Sequence, residues 1–180
     1  MEDSFGETGR CVCGFGNEFF TLEGEEPVCT ICGGMVVRES SDFLNPPGEA
    51  GKKNILVVDD QEFFRKKLQE VLGGFGHHIL EAGDGLEAIR ILFQSLKGRT
   101  DLGSSIDCLV LDLVMPGDLD GFQMLAVAKI LAPDLPVLIL TSSPPTKDLL
   151  NQLARLGAKK YLNKGAPDID QLILRNISEI

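Results

Sequence analysis

Five short apolar runs alternate with five amphipathic stretches along the C-terminal two thirds of this 180-residue chain. The runs are NILVV (54–58), HILEA (78–82), DCLVL (107–111), PVLIL (136–140) and KKYLN (159–163). Between and after them lie QEFFRKKLQEVLG, DGLEAIRILFQSL, DGFQMLAVAKIL, TKDLLNQLARLG and DIDQLILRNISEI. Runs this short, bounded by turn residues, read as strands, and the stretches between them carry a helical period. Strands that alternate with helices must run parallel, and a parallel sheet needs helices on both faces. The pattern therefore predicts an α/β fold with a doubly wound, five-stranded parallel sheet. In the second amphipathic stretch Leu86, Ile89, Leu92 and Phe93 fall on one helical face and are expected to be buried. The connection KGRTDLGSS (97–105) is long for such a fold.

The first fifty residues differ in kind. Residues 1–52 carry 10 acidic and 3 basic side chains, against 17 and 14 in residues 53–180. The segment SSDFLNPPGEAGKKN (40–54) is rich in Ser, Pro and Gly and has no period, as in a linker. We divide the chain into a small module at 1–40, a linker at 41–52 and a main domain at 53–180. No apolar run approaches the ~18 residues of a membrane span. The start MEDSFGETGR lacks the basic and apolar regions of a secretion signal, so a cytoplasmic location is expected. The net charge of −10 argues against a nucleic-acid backbone as the main partner.

Four of the five cysteines lie in the small module, as CVC (11–13) and CTICGG (29–34). Four thiolates, from Cys11, Cys13, Cys29 and Cys32, suit a tetrahedral structural Zn²⁺. The run resembles a zinc ribbon, with EFFTL (18–22) and MVVRE (35–39) as hairpin strands. A segment with so few large apolar residues needs such a staple. Disulfides, an iron–sulfur site or a thiol switch are the alternatives. Cys108 stands alone in an apolar run and reads as a small core residue. His77 and His78 read as turn residues before the second strand rather than ligands.

Polar residues interrupt the apolar pattern at strand ends. Asp59 and Asp60 follow ILVV, Asp112 follows CLVL, Thr141 and Ser142 follow LIL, and Lys164 follows YLN. Each has an ordinary explanation. Asp59 or Asp60 could cap the next helix, Asp112 could open a turn before Pro116, Thr141 could cap a helix, and Lys164 could be solvated. In open α/β sheets, however, ligands bind outside the carboxyl ends of the strands, where strand order reverses. Four coincidences at one sheet edge suggest one site. Clustered carboxylates need a hard cation, and oxygen ligands with open positions suit Mg²⁺. Carboxylates, Mg²⁺, a lysine and a hydroxyl are what phosphoryl transfer to an aspartate requires.

These residues resemble the receiver domain of bacterial two-component response regulators. The resemblance rests on ILVVDDQEFFRKKL, ILEAGDGLEAIRIL, LVLDLVMPGDLDGF, PVLILTSS and GAKKYLNKG, in that order, and covers roughly 53–180. It implies a flavodoxin-like sheet of order 2-1-3-4-5. It also implies that Asp112 is the phosphoacceptor, that Asp60 ligates Mg²⁺ directly, that Asp59 helps through water or hydrogen bonding, and that the Val114 carbonyl is a further ligand. Thr141 would hydrogen-bond the phosphoryl group and Lys164 would pair with it. Tyr161 matches an aromatic position that rotates inward on activation, so Thr141 and Tyr161 would form the switch; an amphipathic tyrosine at a strand edge is the alternative. A sensor histidine kinase or phosphotransfer protein would be the donor, and the chain would catalyse only its own phosphorylation and dephosphorylation. The pattern ends just after the fifth amphipathic stretch, which suggests output by protein–protein contact. Rival readings are a Mg²⁺-dependent phosphohydrolase with an aspartate nucleophile and an interaction module that is not phosphorylated. The phosphohydrolase usually needs a second acid/base aspartate two residues on, where Val114 stands. Two departures from the family stand out. MPGDLDG (115–121) carries one residue more than the usual turn, and Gly165 replaces a proline usually joined to the lysine by a cis bond.

Overall fold

The computed structural model describes residues 51–98 and 105–180, together with the backbone of four short strands nearer the N-terminus. Those strands are β1 (Gly9–Cys11), β2 (Phe19–Phe20), β3 (Val28–Cys29) and β4 (Val36–Arg38). They pair antiparallel as β1 with β4 and β2 with β3. The expected strands EFFTL and MVVRE thus contain β2 and β4, but they do not pair with each other. Each finds its partner in a cysteine-bearing strand, Phe19 opposite Cys29 and Val36 opposite Cys11. Cys13, Cys32, the linker at 41–50 and the connection at 99–104 lie outside the described residues.

The main domain is a five-stranded parallel sheet. Its strands are β5 (Asn54–Val58), β6 (His78–Ala82), β7 (Cys108–Leu111), β8 (Val137–Thr141) and β9 (Lys160–Asn163). The spatial order is β6-β5-β7-β8-β9, which is the expected 2-1-3-4-5. Five helices connect them: α1 (Glu62–Gly74), α2 (Gly85–Leu96), α3 (Gly121–Leu131), α4 (Lys147–Arg155) and α5 (Ile169–Ser178).

Strand periodicity sorts the core into two layers. Leu56, Val58, Leu109, Leu111, Val137 and Ile139 point to the face covered by α2, α3 and α4, where they meet Ala88, Leu92, Met124, Leu125 and Leu153. Ile55, Val57, Cys108, Val110, Leu138 and Leu140 point the other way, onto Leu68 and Leu72 of α1 and Ile169, Ile173 and Ile177 of α5. Right-handed crossovers on a sheet of this order leave α1 and α5 on one side and the other three helices on the other. Cys108 is fully buried, and burial pushes its thiol up to about 12, so it is an inert core residue as expected.

Three local expectations are corrected. On α2 the buried stripe is Gly85, Ala88, Leu92 and Ser95; Leu86 and Phe93 are exposed, and Ile89 is partly buried. Gly85 lies against Leu119 of the loop before α3, where a Cβ would meet Leu119 Cδ2 at 2.7 Å, and Ser95 Oγ accepts the Ile106 N–H at 3.0 Å. The exposed Phe93 ring is covered instead by the Lys97 ammonium, 4.0 Å from its centroid. His78 is the first residue of β6, paired with Asn54, while only His77 lies in the turn, where its Nδ1 accepts the Lys53 N–H at 3.3 Å. The helix after β8 is capped by Thr146, not Thr141; Thr146 Oγ1 accepts the Leu149 N–H at 3.2 Å.

The loop between β7 and α3 is fixed at its end. Gly117 adopts a positive φ of 120°, which favours glycine. Asp120 then closes a capping box with Gln123 and starts α3. Gly121 lies against the backbone of the strand end: a Cβ there would meet the Asp112 carbonyl oxygen at 2.2 Å and Leu113 Cα at 2.4 Å. Those neighbours are backbone and cannot swing aside. Gly121→Ala is therefore expected to cost about 3 kcal/mol or more, measured by urea denaturation. A variant within about 0.5 kcal/mol of the parent would contradict this packing.

Candidate phosphoryl-transfer site

The sheet ladder runs one residue past the strands at their carboxyl ends. The Asp59 N–H bonds Ala82 O at 3.2 Å, the Asp112 N–H bonds Val58 O at 2.9 Å, and the Lys164 N–H bonds Thr141 O at 2.9 Å. Backbone pairing alone thus sets Asp59 beside Asp112, at the switch point between β5 and β7.

Asp59, Asp60 and Asp112 each offer a carboxylate oxygen, and these oxygens lie within 4.8 Å of one another. Asp59 and Asp112 are buried and Asp60 is exposed. Neither Asp59 nor Asp60 is the N-cap of α1. That position is Gln61, whose N–H is accepted by Asp59 Oδ1 at 2.9 Å. Asp112 Oδ1 accepts the Val114 N–H at 3.1 Å. Its turn-forming role is therefore real, and it coexists with membership of the cluster. Burial pushes the Asp59 carboxyl above its usual value, an effect opposed by hydrogen bonds from Lys164 and from the Gln61 N–H.

Lys164 is not solvated. Its side chain is 2% exposed, and Nζ lies 2.5 Å from Asp59 Oδ2 and 2.6 Å from Asp112 Oδ2. One ammonium is shared between two buried carboxylates. Nζ also sits 4.5 Å from the centroid of the Phe64 ring on α1. Phe64 is a contact the sequence reading missed; an aromatic residue one helical turn after the aspartate pair is the signal that pointed to it. Arg65 was missed too. Its Nη1 donates to the Asp59 carbonyl at 2.7 Å while Nε engages Glu81 at 3.2 Å, which anchors the strand end that carries Asp59.

Thr141 ends β8 and is fully buried, and its Oγ1 accepts the Ser143 N–H at 3.3 Å. Tyr161, on the edge strand β9, is 7% exposed and packs with the core beneath α4. Its hydroxyl donates to the Ser143 carbonyl. The tyrosine is thus turned inward rather than lying along the surface. The Lys164–Gly165 bond is trans, since no described peptide bond is cis. An open cleft of about 610 Å³ leads to Asp112 from solvent, lined by Asp60, Gln61, Val114, Met115, Pro116 and Ser142 among others. Val114 is exposed at its rim. The arrangement supplies convergent oxygen ligands for a hard cation, a cleft that reaches them, and a lysine held between two of the carboxylates. Among the described residues no helix is long and apolar enough to cross a membrane.

Comparison with known proteins agrees with this geometry. Residues 55–175 match the response regulator receiver domain family. The chain is 32% identical over 120 residues to sporulation initiation phosphotransferase F of Bacillus subtilis, covering 67% of this chain and 87% of that protein. It is 28% identical over 120 residues to the regulator of RpoS of Escherichia coli, of which it spans 32%. Among solved structures, a receiver domain protein from Clostridium thermocellum superposes with a TM-score of 0.57 at 30% identity, covering 70% of this chain and 93% of that one. The phosphorylated cyanobacterial phytochrome response regulator RcpA gives 0.56 at 28% identity, covering 72% and 93%. The chemotaxis protein CheY4 of Vibrio cholerae, at 23% identity and a TM-score of 0.60 over 72% of this chain and 99% of that one, shares the fold. With the fold, the site and the family match in agreement, this chain belongs to the response regulator receiver domain family.

Proposed function

We propose that Asp112 accepts a phosphoryl group from the phosphohistidine of a sensor kinase or phosphotransfer protein. The observation that carries this reading is the buried Lys164 ammonium held between Asp59 and Asp112, with the cleft opening onto Asp112. A carboxylate oxygen of Asp112 attacks phosphorus, a P–O bond forms, and the bond to the donor breaks with its electron pair leaving on the donor. Lys164 stays charged and pairs with the transferred group. The Thr141 hydroxyl gives up the Ser143 N–H and turns its proton to a phosphoryl oxygen. Asp59, Asp60, Asp112 and the Val114 carbonyl would hold Mg²⁺, and the three convergent carboxylates fit a small hard cation. When bound, the ion offsets the negative charge that gathers on the transferred group.

Two named relatives support the reading: one is called a phosphotransferase, and the structure of another was solved phosphorylated. The phosphohydrolase alternative lacks its second acid, since exposed Val114 occupies that place. Against an unphosphorylated interaction module stands the complete set of Asp59, Asp60, Asp112, Thr141 and Lys164. On this reading the chain catalyses only its own phosphorylation and dephosphorylation. The Thr141–Ser143–Tyr161 chain of contacts would carry the signal to the α4–β9–α5 face, where a downstream protein binds. Incubation with acetyl phosphate and Mg²⁺, followed by intact mass, is expected to add one acid-labile phosphoryl group to the parent and none to Asp112→Asn. An equal increment on the variant would refute the assignment.

For the N-terminal segment we propose a structural Zn²⁺ held by Cys11, Cys13, Cys29 and Cys32. What supports this reading is the cysteine spacing, with Cys11 and Cys29 each the last residue of a strand, β1 and β3. A chelator is expected to release about one Zn²⁺ per chain while leaving phosphorylation of Asp112 intact. Cys29→Ser or Cys32→Ser should reproduce that effect. Freshly purified protein without zinc by metal analysis would rule the site out.

A further inference from the structure

The lysine that pairs with Asp112 sits in a turn whose next residue is Gly165, which by itself restrains the backbone little. Something else must fix that turn. Asn163, the last residue of β9, is 8% exposed and uses its carboxamide in two directions. Its Oδ1 accepts the Gly165 N–H at 2.8 Å, and its backbone carbonyl accepts the Ala166 N–H at 3.0 Å, so Lys164 lies inside a closed two-residue turn. Its Nδ2 donates to the Ser143 carbonyl at 2.9 Å. That same carbonyl receives the Tyr161 hydroxyl, and the Ser143 N–H is the one held by Thr141 Oγ1.

One buried amide therefore ties the turn that carries Lys164 to the loop that follows Thr141. Those two residues are the ones that must meet the same phosphoryl group from different strands. Asn suits the task because it alone supplies an acceptor and a donor on one short, flat group. Aspartate would place a second acceptor against the Ser143 carbonyl, and alanine would remove both bonds, leaving that carbonyl to Tyr161 alone and the Gly165 N–H without its turn acceptor.

We infer that Asn163 is a positioning residue for phosphoryl transfer, fixing Lys164 relative to Thr141 by bridging Gly165 and Ser143. The inference rests on the proposed phosphorylation of Asp112 and goes beyond it. Misplacing a group that contacts the transferred atoms slows the chemical step without altering ligands elsewhere.

The test is the full-length chain with acetyl phosphate at saturating Mg²⁺, followed as initial rates against donor concentration. Mg²⁺ affinity is measured separately by calorimetric titration. For Asn163→Ala the maximal rate is expected to fall about tenfold, with Mg²⁺ affinity held within about twofold because Asn163 touches none of the carboxylates. Asn163→Ser can re-form the turn onto the Gly165 N–H more weakly, and is expected to recover part of the lost rate. A maximal rate for Asn163→Ala within about twofold of the parent would overturn the inference, as would a parallel collapse of Mg²⁺ affinity. Should the alanine variant fail to fold, the serine variant decides: a parental rate there equally overturns it. Failure of the parent itself to be phosphorylated would instead refute the proposed function.

Discussion

Everything at the top of this sheet depends on one ammonium group. Asp59 and Asp112 are brought side by side by the sheet ladder whether or not their charges agree. Two buried carboxylates so placed repel each other and have lost most of their water. Lys164 Nζ, 2.5 and 2.6 Å away, offsets both charges at once. The compensation is incomplete, since burial still pushes the Asp59 carboxyl upward. A site in that condition is poised to take up a cation on its open side, where Asp60 and the cleft lie.

The fold supplies the placement without any special loop. β5 and β7 are neighbours with the same direction, so the residues that follow them emerge together. β8 and β9 do the same for Thr141 and Lys164, because Thr141 is in register with Asn163. The four chemical groups thus come from four adjacent strand ends. The helices serve the site indirectly. α1 brings Phe64 against the lysine and Arg65 against the Asp59 carbonyl, and α3 begins at a glycine pressed onto the carbonyl of Asp112. The tightly packed points of the loop before α3 are Asp112 and Gly121.

Much of this was legible in the sequence because it follows from periodicity. Short apolar runs alternating with amphipathic stretches admit few topologies, and polar residues at strand ends stand out against buried neighbours. Asp59, Asp112, Thr141 and Lys164 could be found for that reason. The misreadings share a cause: they concern partners that only three dimensions reveal. Leu86 and Phe93 fit a helical stripe, but the buried positions include Gly85, which lies against Leu119, and Ser95, which accepts the Ile106 N–H. Thr141 is the last residue of β8, so the cap of the next helix falls to Thr146 instead. Asn163 carried no signal at all, because an asparagine before a glycine-containing turn is ordinary until its amide is seen bridging two loops. The N-terminal cysteines are read from their spacing and from thiolate chemistry, and two of them, Cys11 and Cys29, end strands.

The shared ammonium can be tested without phosphorylation. A double-mutant cycle of Lys164→Met and Asp112→Asn, measured by urea denaturation without Mg²⁺, isolates the coupling between the two groups. With both carboxylates present, loss of the lysine should cost about 3–5 kcal/mol, because it strands buried charge. With Asp112 already neutral the loss should be smaller, giving a coupling above about 1 kcal/mol. Costs that add within about 0.5 kcal/mol would contradict the account, since Lys164 would then not be what offsets the buried charge of Asp112.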